Sequence, residues 1–216
     1  MSGRPVLTLI YGGTFDPIHV GHLALASQTA RLLATDVHLL PSADPPHREP
    51  PGARAEDRAA MVALAIAEQP ALHLDRRELD RPGPSYMVDT LISYRDQWGA
   101  DQPLALLLGA DAFAGLPGWS RWRHLFDLAH LVIAPRPAWP LDRLPDVLRD
   151  ACAGRWLATV EGLQTRPAGG LFRLPLTVEY LESATEVRRR IAEGGDWRAL
   201  VPIPVADYID RHRLYR

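Results

Sequence analysis

The segment LTLIYGGTFDPIHVGHLALA, residues 7–26, ends an apolar run in Gly12 and Gly13 and then places His19 and His22 around Gly21. Histidines at i and i+3 of a helix start project from one turn toward a common point. Imidazoles there can donate hydrogen bonds to non-bridging phosphate oxygens, and the open backbone N–H groups of the helix N-terminus attract the same anion. The glycines let the backbone turn tightly and let a phosphate or nucleobase approach closely. No nucleophile stands beside a base. The chemistry suggested is stabilisation, by position and charge, of a phosphoryl or nucleotidyl group in transit.

Composition excludes several alternatives. The chain of 216 residues carries 24 basic and 26 acidic residues, a formal net charge of -2, which argues against a broad surface for nucleic acid. Every basic residue is arginine, so a Walker A lysine, a Schiff-base lysine and the lysine-rich loop of class I aminoacyl-tRNA synthetases are all ruled out. Cys152 is the only cysteine, which excludes an internal disulfide or a multi-cysteine zinc site and fits a reducing compartment. The opening MSGRPVLTLIYGG has too short an apolar run for a signal peptide, and no stretch approaches the ~20 apolar residues of a membrane span. The expectation is a cytoplasmic protein with neither a membrane nor a nucleic-acid partner.

The elements that must position the histidines follow from periodicity. Residues 6–11 read as a buried parallel strand stopped by the glycines, and Leu23, Ala26, Ala30 and Leu33 place one face on a helix over 20–33. A strand over 37–40 ends at Pro41, and a proline-rich loop leads into a helix over 57–68. Further strands are predicted at 72–75, in PLALLLGAD, in HLVIAPRP and at 174–180. Further helices are predicted at 86–98 behind an N-cap Ser85, at 142–153, in SATEVRRRIAEG and at 204–213, while EGLQTRPAGG reads as a loop or hairpin turn. Strands alternating with helices predict an α/β fold, a doubly wound parallel sheet of Rossmann-like type with a C-terminal helical segment, as one domain over 1–216. Ligands bind such sheets at the C-terminal strand ends, where residues 12–21 fall.

Other segments gather at similar positions. SATEVRR has Ser183 as an N-cap with Glu186 three residues on, the pattern of a capping box. PPHR puts His47 and Arg48 on a proline-stiffened loop, where an always-charged guanidinium can meet a phosphate. GPSYMVDTL sets Ser85 and Tyr86 at a helix start able to bind a carboxylate and stack on a base. LLGADAF ends a strand in Gly109 followed by Asp111, APRP ends another beside Arg136, and GWSRWRHL offers Trp119 and Trp122, the second better suited to the core.

GGTFDPIHVGH resembles the T/HxGH signature of the nucleotidyltransferase superfamily, in the GGTFDPIHxGH form of bacterial nicotinate-nucleotide adenylyltransferases. The resemblance implies that His19 and His22 contact ATP phosphates, with Gly12, Gly13, Thr14, Phe15 and Gly21 shaping the ATP site and Asp16 on the mononucleotide side. SATEVR resembles the family's ISSTxIR, which implies that Ser183, Thr185 and Arg188 hold the β- and γ-phosphates. Glu182 departs from the usual apolar residue, and its side chain is expected to face solvent. By the same resemblance His47 and Arg48 contact phosphate, Arg48 counting also among the catalytic residues. Ser85, Tyr86 and Met87 provide the helix start that recognises the nicotinate carboxylate. Met87 replaces the family's threonine, so a backbone donor survives there and a hydroxyl does not. Gly109 and Asp111 lie beside the ATP ribose and metal, Trp119 stacks on the pyridine ring, and Arg136 faces the mononucleotide.

The implied reaction is adenylyl transfer from ATP, with Mg²⁺ shielding the triphosphate, to nicotinate mononucleotide. No residue is assigned as a direct metal ligand, and a homo-oligomer is compatible with the reading. Open alternatives are transfer to nicotinamide mononucleotide or phosphopantetheine, cytidylyl transfer, and a non-catalytic nucleotide-binding module. PVADYIDRHRLY resembles the family's terminal helix, whereas residues 141–170 match nothing in it.

Overall fold

The computed structural model describes residues 6–43, 51–136, 138–176 and 182–216. In chain order the elements are β1 (Thr8–Gly13), α1 (Val20–Leu33), β2 (Val37–Pro41), α2 (Ala55–Ile66), β3 (Leu72–Leu74), α3 (Met87–Trp98), β4 (Leu104–Gly109) and α4 (Ala110–Ala114). There follow α5 (Leu125–Leu128), β5 (His130–Ala134), α6 (Asp146–Cys152), α7 (Glu161–Gln164), β6 (Leu171–Arg173), α8 (Ala184–Glu193) and α9 (Ile203–His212), with short 3₁₀ turns among them. Among the described residues six strands run in the order β3-β2-β1-β4-β5-β6, a doubly wound arrangement.

Contacts divide the chain into two compact units, Met1–Gly12 with Tyr86–Glu179, and Gly13–Ser85 with Tyr180–Arg216. In the first, β1 pairs parallel with β4 from Thr8 opposite Leu104 to Tyr11 opposite Leu107, and β4 continues the ladder to β5 from Ala105 opposite His130. Leu104–Leu108 and all of β5 are buried. That follows from their unbroken apolar runs, which suit strands covered on both faces. In the second unit β2 and β3 pair parallel from Val37 opposite Leu72. There α1 buries Leu25, Ala26, Thr29, Ala30 and Leu33, and each fully buried leucine contributes about 1.5–3 kcal/mol. Tyr208 of α9 donates to the Asp57 carboxylate of α2 at 3.0 Å.

Several expectations need correction. β1 runs through both glycines, and Gly13 stays in register by accepting from the Ser42 N–H at 3.0 Å. Ser85 does not cap α3: Tyr86 holds the N-cap position with no side-chain bond, while the Ser85 hydroxyl accepts from the Ala43 N–H at 3.1 Å. EGLQ forms the one-turn α7 rather than a turn. Among the described residues the last strand is Leu171–Arg173, where Leu131, Val132 and Ile133 of β5 pair with those three residues. Residues 174–176 are irregular, and 177–180 lie outside the described residues. Among the described residues no helix is long and apolar enough to cross a membrane.

Candidate active site

Histidine is a poor N-cap by propensity, yet His19 caps α1 with extended backbone and His22 occupies the third helical position. The two form a reciprocal capping box. The His22 N–H points at Nδ1 of His19 at 3.4 Å, and the His19 N–H at Nδ1 of His22 at 3.3 Å. A ring nitrogen facing a backbone N–H must be the acceptor, so each neutral imidazole carries its proton on Nε2. The rings stack with centroids 3.6 Å apart and planes 28° apart. His19 is 4 % exposed. Two parallel imidazoles with matched tautomers at the positive end of a helix can present paired N–H donors to an anion.

The loop before the pair is rigidly held. Phe15 takes a left-handed conformation (φ 49°) while 2 % exposed, a strain of order 1 kcal/mol that its packing must offset. Its ring meets the edge of His22 at a centroid distance of 5.1 Å and lies 3.1 Å from where a Cβ on Gly13 would sit, so a side chain at position 13 would crowd the ring. Asp16 is buried and accepts from the N–H groups of Gly52 (2.8 Å) and Ala53 (3.1 Å) and from the Tyr215 hydroxyl (2.7 Å). Arg188 donates to the Asp16 carbonyl at 2.6 Å and pairs with its carboxylate at 3.5 Å. Burial, then the Asp16 charge, raises the Tyr215 phenol well above its ordinary value.

Two residues that sequence reasoning missed complete this framework. Arg58, fully buried, donates to the carbonyls of Thr14 (2.7 Å), Ala43 (3.0 Å) and Ala53 (3.3 Å), tying the histidine loop to both flanks of residues 44–50. Burial lowers the basicity of its guanidinium. Its signal was readable, because Arg58 shares a helical face with the buried Met61 and Val62. Tyr215, the penultimate residue of the sequence, gave no signal.

At α8 the Ser183 hydroxyl accepts from the Glu186 N–H at 3.2 Å. Glu186 does not complete the expected box, because its oxygens go to Arg189 and Arg190, which hold its carboxyl down at about 2. Ser183 and Thr185 are exposed on the first turn. Glu182 contradicts the expectation of a solvent-facing side chain. Its Oε2 is buried without a hydrogen-bond partner and lies 3.0 Å from where a Cβ on Gly21 would sit, the space left by the missing side chain admitting it. His47 and Arg48 lie outside the described residues.

The other unit carries its own set. At the end of β1, a Cβ on Gly12 would meet the Met87 methyl at 2.7 Å, so the glycine admits the first residue of α3. At the end of β4, Gly109 lies against the Asp111 carboxylate, whose Oδ1 is 3.8 Å from Nε of Arg136. Burial raises the nearby Tyr11 phenol, opposed by Arg136 and reinforced by Asp111. Asp89 in the first turn of α3 pairs with Arg121. Trp119 is half-buried, while Trp122 is a core residue set edge-on to Phe126 at 6.2 Å. Structure thus groups Gly13, Phe15, Asp16, His19, Gly21, His22 and Arg188 in one unit, and Gly12 with Met87 and Gly109 with Asp111 and Arg136 in the other.

Comparison with known proteins agrees with this chemistry. The cytidylyltransferase-like family matches residues 10–190. A protein of Stenotrophomonas maltophilia named probable nicotinate-nucleotide adenylyltransferase is 51% identical over 97% of each chain. One of the same name from Dechloromonas aromatica is 43% identical over 96% of each. The structure of Plasmodium falciparum nicotinic acid mononucleotide adenylyltransferase complexed with NaAD superposes with a TM-score of 0.73 over 97% of both chains, at 17% identity, a likeness of fold. The paired histidines at a helix start on a doubly wound sheet therefore have their explanation in descent: the chain belongs to the nicotinate-nucleotide adenylyltransferase family.

Proposed function

We propose that the protein transfers the adenylyl group of ATP to nicotinate mononucleotide, giving deamido-NAD and pyrophosphate. The observation that carries this reading is the reciprocal His19–His22 cap, in which each Nδ1 faces the other residue's backbone N–H and the neutral rings carry their protons on Nε2. Relatives named for this reaction over nearly the whole chain support the choice of substrates. A phosphate oxygen of the mononucleotide attacks the α-phosphorus of ATP in line, and the bond to the pyrophosphate oxygen breaks. No side chain becomes covalently attached. The Nε2–H groups and the α1 N-terminus stabilise charge growing on the α-phosphate oxygens.

The divalent cation that the family uses with ATP is Mg²⁺ in this reading. Such an ion would enter on the triphosphate and shield its charge, coordinated mainly by phosphates and water. Ser183, Thr185 and Arg188 take the β- and γ-phosphates, and Asp111 with Gly109 takes the ATP ribose. Trp119 and the helix start at Tyr86 and Met87 take the nicotinate ring and its carboxylate. His47 and Arg48 serve the phosphates by resemblance alone. The single-domain reading is supported by the family match, whose residues run through both units. A reducing cytoplasm suits the one buried cysteine.

The test is pyrophosphate release from Mg²⁺ and ATP with nicotinate mononucleotide, nicotinamide mononucleotide and phosphopantetheine as parallel acceptors. Marked preference for the nicotinate form is expected. Release with only another acceptor would keep the chemistry and overturn the substrate; silence with all three would leave a nucleotide-binding module.

A further inference from the structure

Two groups that are not hydrogen-bonded to each other in the structure border the face of Gly21 that lacks a side chain. Oε2 of Glu182 lies 3.0 Å, and Nδ1 of His19 3.2 Å, from the point a Cβ would occupy. Glu182 Oε2 is buried and accepts no hydrogen bond, a costly state for a carboxylate oxygen unless some step of the reaction supplies a donor. His19 can supply it. Its Nδ1 accepts from the His22 N–H only at 3.4 Å, and that N–H already donates to the His19 carbonyl at 3.0 Å. Nδ1 can therefore gain a proton without orphaning the backbone donor.

Charges around the two rings decide which of them gains it. The stacked rings, 3.6 Å apart, disfavour two imidazolium charges at once. The Asp16 carboxylate is engaged by Gly52, Ala53 and Tyr215 and pairs with Arg188.

We propose that Glu182 is a positioning residue that accepts the Nδ1–H of protonated His19, making His19 the cationic donor to the reacting phosphate and leaving His22 the neutral one. The inference rests on the adenylyl-transfer reading and explains why a carboxylate replaces the apolar residue usual at this position.

The experiment is a ¹⁵N NMR titration of the histidine rings in the ligand-free full chain, with steady-state kinetics, for wild type, Glu182→Gln and Glu182→Asp. The folds should survive, because the Oε2 lost has no partner to orphan. In Glu182→Gln the His19 midpoint should fall by about 1 pH unit, kcat about tenfold, and KM for ATP less than about twofold, with Glu182→Asp recovering part of both losses. An unmoved His19 midpoint, or a change confined to KM for ATP, would overturn the proposal. Should the wild type release no pyrophosphate with any acceptor, the reaction reading fails while the titration still decides the role of Glu182.

Discussion

Two places in the molecule fix histidine tautomers with backbone groups, and they do so to opposite ends. His130, fully buried at the start of β5, uses both ring nitrogens: Nδ1 accepts from the Gly170 N–H at 2.9 Å and Nε2 donates to the Arg166 carbonyl at 2.9 Å. A ring so held is a structural bracket, and burial lowers its basicity. His19 and His22 each turn Nδ1 to a local backbone group, capping the other's N–H. The difference teaches how to separate a structural imidazole from a chemical one. The bracket ties backbone groups 36 and 40 residues away, whereas at the helix start each ring caps a residue three positions away at the positive end of α1.

The sharpest way to break the comparison is substitution at the helix start. His22→Ala should lower kcat on the order of 10²–10³-fold while thermal unfolding changes little, because a neighbouring acceptor for the His19 N–H is lost but no core is opened. A variant as active as wild type would remove His22 from the chemistry. His130→Ala should do the reverse. Leaving the Gly170 N–H and the Arg166 carbonyl without the ring costs about 2–4 kcal/mol of stability by denaturant titration, with kcat of the folded fraction unchanged.

Acidity should sharpen the contrast further. A histidine whose folded-state basicity is lowered contributes stability that is present above its unfolded pKa and is lost as pH falls below about 6.5. Unfolding free energy should therefore decline from pH 7 toward pH 5, and His130→Gln should flatten that slope. The smallest expected effect is at the other capped helix. Ser183→Ala removes a single exposed hydroxyl acceptor and should cost about 1 kcal/mol of stability, with any rise in KM for ATP reporting its phosphate contact.

Sequence periodicity located most of the fold because the central elements are long and uniformly apolar. The helix over 20–33 matches α1 at both ends, and β4 and β5 fall inside the segments predicted for them. Short elements escaped it: β6 has three residues, too few to show a period, and its position is set by pairing with β5. Residue types could not show which polar groups the fold would use internally. Ser85 reads as a cap but holds Ala43, and Asp16, read as a ligand contact, also holds Gly52, Ala53 and Tyr215. Those roles depend on partners 36 to 199 residues away, which spacing rules do not reach. Glu182 was legible as a departure and not as a direction, since the bare face of Gly21 draws it inward.

The central claim is that these histidines stabilise a direct transfer with no covalent protein intermediate. Turnover of ATP carrying a chiral α-phosphorothioate, followed by assignment of the configuration in the deamido-NAD analogue formed, tests it most directly. One in-line displacement predicts inversion at the α-phosphorus. Retention would require two displacements, and with them a nucleophilic side chain that this account excludes.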